Sequence, residues 1–273
     1  MLTKGAIGNL VNRYRAVLRK CRLLNTFGSL AVAGALVLGG AGAAAAAVNW
    51  PEGADVRITA VDTDTASGGY RLNSLSVEGG SLAYTGTPGG GEEQLFITEF
   101  LNISGGELSV NQAAHAGIQG AADNVADYTA IFNMSGGKLS ISGSQVQMKD
   151  VNISGGEVSV SGIAGESSST NWNDGAMLGS VDGTFALSGD GKITLEDNAQ
   201  LFAPEFNLNG GTISMSASDN PALVRTYGEN GALNLTGAAI EVDGQGILAA
   251  NNLNISGGNL GVGEDGNLIM GVT

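Results

Sequence analysis

Apolar and polar residues alternate along most of this chain, and paired glycines interrupt the alternation at a recurring place. The unit reads apolar, Asn, apolar, Ser or Asn, Gly, Gly, any residue, apolar, Ser, apolar. Five close copies are Leu101-Asn-Ile-Ser-Gly-Gly-Glu-Leu-Ser-Val110, Phe132-Asn-Met-Ser-Gly-Gly-Lys-Leu-Ser-Ile141, Val151-Asn-Ile-Ser-Gly-Gly-Glu-Val-Ser-Val160, Phe206-Asn-Leu-Asn-Gly-Gly-Thr-Ile-Ser-Met215 and Leu253-Asn-Ile-Ser-Gly-Gly-Asn-Leu-Gly-Val262. Looser copies begin at Leu75, Phe185 and Leu233, the second with one extra residue. Alternation with period 2 marks half-buried strands, so each copy predicts two short strands. Leu101, Ile103, Leu108 and Val110 point inward, and Asn102 and Ser109 outward. The pairs Gly105-Gly106, Gly136-Gly137, Gly155-Gly156, Gly210-Gly211 and Gly257-Gly258 turn the corners between strands, because glycine reaches positive φ without steric cost.

The copies start 26, 31, 19, 34, 21, 27 and 20 residues apart, a spacing that suits one coil of a β-solenoid with insertions in the longer intervals. A further apolar segment fills most intervals, at residues 94–97, 199–202, 221–224 and 246–249. Three short strands per coil predict an all-β protein, a right-handed parallel β-helix of triangular section. Roughly ten coils at about 4.8 Å each make a rod about 50 Å long. Asn102, Asn133, Asn152, Asn207, Asn234 and Asn254 share one register position and are expected to stack as a continuous amide ladder. Five of them also fall in N-x-S/T sequons, which the repeat already explains.

The first 47 residues differ in kind. They hold six of the twelve Lys and Arg residues and no acid. An apolar run at 30–38 and a Gly/Ala stretch at 39–47 follow, ending Ala45-Ala-Ala47. This is the layout of a signal peptide cut near Ala47, read by the export machinery of the inner membrane; the rival reading is a membrane anchor. The chain thus divides into a signal peptide, 1–47, and a β-helix, 48–273. Without the signal the net charge is −20, with six basic and 26 acidic residues, which excludes a nucleic-acid partner for want of a basic footprint. The only cysteine, Cys21, leaves with the signal, so no disulfide is expected. Hydrophobic content of 42% supplies enough apolar surface for a core.

Candidate chemistry is sparse. His115 is the only histidine, and no nucleophile turn accompanies it. Candidate carboxylates (Asp62 and Asp64, Glu92 and Glu93, Asp123 and Asp127, Asp190, Glu196 and Asp197) share no register on adjacent coils. The basic residues Arg57, Arg71, Lys138, Lys149, Lys192 and Arg225 read as scattered. No catalytic residue, cofactor or metal site is expected. The insertions at 111–128 and 161–178 are the candidate contact loops. In the second, Trp172 with Asn171 and Asn173 suits a carbohydrate or protein contact, or Trp172 packs over a coil end.

The long basic signal, Ala-Ile-Gly-Asn-Leu-Val-Asn-Arg-Tyr-Arg-Ala-Val-Leu-Arg-Lys-Cys-Arg (residues 6–22), resembles the extended signals of large bacterial autotransporters. The φ-Asn-φ-Ser-Gly-Gly repeats of an acidic chain look like the passenger domain of such a protein. The resemblance implies a Gram-negative source, export, and display at the outer membrane or release to the outside. It also implies a non-enzymatic role in adhesion or aggregation, through a host surface protein or glycan or through self-association. Autotransporters end in a translocator β-barrel that this sequence does not show, so residues 1–273 are expected to be the N-terminal part of a longer protein or a truncated product. Two other functions fit the same fold: a secreted β-helical polysaccharide-active enzyme, and a structural surface coat or spacer.

Overall fold

The computed structural model describes residues 50–59, 63–66, 69–85, 94–111, 117–121, 127–162 and 175–271. The expected signal segment 1–47, His115, and the loop residues Asn171, Trp172 and Asn173 lie outside the described residues.

Among the described residues, twenty-three strands join in one hydrogen-bonded network, and each strand pairs in parallel with its equivalent one turn further along the chain. Leu101 lies between Leu75 and Phe132, and Val151 between Phe132 and Phe185. Phe206 lies between Phe185 and Leu233. The protein is a parallel β-helix, as the repeats predict. Three ladders run its length, each of nine strands. Among the described residues, nine coils at about 4.8 Å each give a stack about 43 Å long, against the roughly ten coils expected. The first coil, Ala54–Ile58, was not legible as a repeat because Val56-Arg-Ile58 carries neither the asparagine nor the glycine pair, yet Val56 pairs with Leu75.

The third strand of each coil falls close to the apolar segments read from the sequence: Leu95–Ile103 begins with one, and Ala199–Ala203 and Ile247–Ala250 are others. Leu223–Thr226 sits two residues later than expected. Pro221 lacks a backbone donor for the ladder, so the strand begins beyond it.

Inward positions form columns that run through all the coils. Leu75, Leu101, Phe132, Val151, Phe185, Phe206 and Leu233 are fully buried, each worth about 1.5–3 kcal/mol of burial. Phe185 and Phe206 stack with ring centroids 5.1 Å apart. Near one end Trp50 packs on Tyr70 at 5.0 Å. In the last described coil the inward residues Ile255, Val262, Leu268 and Met270 remain between 42% and 53% exposed.

The two glycines of each corner serve different purposes, where the repeat pattern alone assigns both to the turn. Only the second adopts positive φ: +67° at Gly106, +77° at Gly137, +85° at Gly156, +78° at Gly211 and +81° at Gly258. The first is needed for close stacking. A Cβ on Gly136 would sit 2.9 Å from the Ser104 carbonyl oxygen, and one on Gly155 would sit 2.7 Å from that of Ser135.

Candidate interaction faces

The asparagine face is held together by its own side chains. The Asn133 amide donates to the Asn102 side-chain oxygen at 3.0 Å, and that of Asn152 to Asn133 at 3.1 Å. Further along, Asn234 donates to Asn207 at 3.0 Å and Asn254 to Asn234 at 2.8 Å. The expected continuous ladder is broken, however. Ala186 occupies the position between Asn152 and Asn207, so two ladders stand in place of one. Asn133 and Asn234 each use both donor and acceptor along the stack, which leaves them less free for a ligand. This face fixes register.

The face after the Gly-Gly corner differs, and here the sequence expectation needs correction. Its first outward column reads Glu107, Lys138, Glu157, Lys192 on four consecutive coils. Lys138 and Lys192 are therefore not scattered; they share a register with two carboxylates. Lys138 Nζ lies 3.8 Å from Glu157 Oε2, and both side chains are about three-fifths exposed (63% and 60%). The next outward column is Ser109, Ser140, Ser159 and Thr194. All of these residues but Ser109, with Glu196 beside them, line a shallow, open depression of about 470 Å³. The signal was present in the "any residue" slot of the repeat, which holds Glu, Lys and Glu in three successive copies. Lys192 was hidden by the extra residue of the copy at Phe185.

The third face turns its outward residues on one another. Arg71 lies over the Phe96 ring at 5.1 Å. The Phe202 ring covers Gly179, filling the space a Cβ there would need. The Tyr128 hydroxyl donates to Gln147 Oε1 at 2.7 Å, and that of Tyr227 to the Ser180 carbonyl at 3.1 Å. Burial pushes both phenols above their usual range, and the nearby Asp182 charge adds to the shift. Both stay neutral donors at physiological pH.

No protein family, curated protein or solved structure matches the chain. What the rod does must be read from its surfaces. Of the candidate carboxylates, Asp62, Glu92, Glu93 and Asp123 lie outside the described residues. Asp197 is committed to a turn: its carboxylate accepts the backbone amides of Ser218 at 2.6 Å and Asp219 at 3.1 Å. Those amides hold it below the usual carboxylate range. Among the described residues, no group of three His, Cys, Asp or Glu side chains is placed to hold a metal ion. The arrangement most open to a partner is this shallow, alternately charged face.

Proposed function

We propose that this protein is an exported, non-enzymatic β-helical passenger of the autotransporter kind, displayed at or released from the outer surface of a Gram-negative bacterium. Its role is adhesion or aggregation, with the rod as scaffold. The observation that carries this reading is the parallel β-helix itself, built from Asn-φ-Ser-Gly-Gly coils with net charge −20 and no cysteine beyond residue 47. A cysteine-free chain suits passage across two membranes, because no premature disulfide can lock it before the last coil forms. On this reading the insertions at 111–128 and 161–178 are the candidate contact loops.

The test is location. Intact cells are labelled with an antibody raised against the 111–128 segment, and medium and outer-membrane fractions are blotted with it. Signal on intact cells or in the medium is the expected result. A product confined to the cytoplasm or periplasm would sink the reading.

A further inference from the structure

On the face after the Gly-Gly corner, charge alternates in sign over four consecutive coils, as Glu107, Lys138, Glu157 and Lys192. Beside them run short, uncharged hydroxyl side chains, Ser140 and Ser159 among them. Read from the other end, minus-plus-minus-plus becomes plus-minus-plus-minus. The column is its own complement when reversed.

We propose that this face pairs two copies of the chain antiparallel, about a two-fold axis that runs along the strands between Lys138 and Glu157. That axis sets Glu107 opposite Lys192 of the second copy, and Lys138 opposite Glu157 of the second copy. Symmetry repeats both pairs, so four cross-pairs form. Both rods share one coil repeat of about 4.8 Å, so matching one pair matches all. A parallel face-to-face pair about an axis along the rod brings like charges to the same height, and the pattern selects against it. The axis lies near the middle of the nine-strand ladder and overlaps eight coils. With strands of five residues such as Glu107–Asn111, the overlap covers roughly 600 Å² per copy. The pair buries about 1,200 Å², the lower end for a specific interface, so the dimer is weak and strongly salt-dependent.

The inference deepens the adhesive reading above by naming the partner as a second copy, and it rests on that reading for its place at the cell surface. Pairing is measured on the purified full chain and surface display on whole cells, so each can fail alone. The experiment is sedimentation velocity at low and high salt, with two double variants. Lys138→Glu with Lys192→Glu makes the column wholly acidic; Glu107→Lys with Glu157→Lys makes it wholly basic. The expected result is a wild-type dimer that weakens in high salt, and a loss of about tenfold or more in affinity for each double variant alone. Mixing the two variants is expected to restore a heterodimer, which also shows that both are folded. A wild-type chain that stays monomeric, whether or not added heparin binds its lysines, overturns the proposal. So does a dimer that both double variants leave unchanged, which would place association at the exposed end residues Ile255 and Leu268. Loss in both variants without recovery on mixing overturns it as well.

Discussion

Replacing single turn and corner glycines with alanine separates the two demands the coil stack makes on its backbone. Gly228 has φ +79° with nothing within 4 Å of an added Cβ, so Gly228→Ala is expected to cost only the left-handed penalty, about 1–2 kcal/mol. Gly136 has no positive φ, but its added Cβ meets the Ser104 carbonyl at 2.9 Å; relieving that overlap is expected to cost about 1–3 kcal/mol. Gly137 combines φ +77° with backbone atoms of Gly105 and Gly106 at 2.7 Å, so Gly137→Ala is expected to lose about 2–5 kcal/mol. Alanine also restricts the unfolded chain, a gain of about 0.4–1 kcal/mol common to all three variants, so their order is unaffected. The assay is urea unfolding followed by far-UV circular dichroism and tryptophan fluorescence. Two probes are needed because a solenoid can unravel in segments. If Gly137→Ala and Gly228→Ala lose the same stability, the neighbouring coil does not press on the corner, and the close-stacking account fails.

Two further outcomes follow from the same structure. Asn133→Ala removes one amide bond to Asn102 and one from Asn152, an expected loss of about 1–2 kcal/mol in urea unfolding, whereas Ala186→Asn joins the two ladders and gains about 0.5–1 kcal/mol; an unstable Ala186→Asn variant would mean the gap is required. The Asp197 carboxylate is held low first by the Asp219 and Ser218 amides. Its stabilisation is therefore full above the unfolded carboxyl pKa, near 4, and is lost as pH falls through that value toward the lower folded pKa. Asp197→Asn is expected to reduce stability at neutral pH, with the gap to wild type closing on acidification; a gap independent of pH would refute the assignment.

The coils were legible in the sequence because each one repeats a local rule. Alternation names the inward residues, and Leu101, Ile103, Leu108 and Val110 are all buried as read. Where the rule lapses, legibility lapses too. Val56-Arg-Ile58 joins the stack by backbone pairing with residues 75–77, and backbone pairing leaves no mark on residue type. Ala186 breaks the asparagine ladder at the copy that also carries the extra residue, so one irregularity concealed both the gap and the register of Lys192.

Variability from coil to coil explains why the charged face is harder to read from the sequence than the asparagine face. An outward residue that bonds its equivalent on the next coil is constrained to one type, and so it repeats visibly. An outward residue facing solvent is free to vary, and in a list of residues its variation resembles noise. Glu, Lys, Glu, Lys at one position is variation with a sign pattern, and the pattern acquires meaning only when the coils are stacked and position 138 is seen between 107 and 157. In a solenoid the positions that hold the fold are the monotonous ones. Recognition is therefore better sought in columns whose residues differ from coil to coil and yet complement one another, and the Glu107 to Lys192 column meets that description.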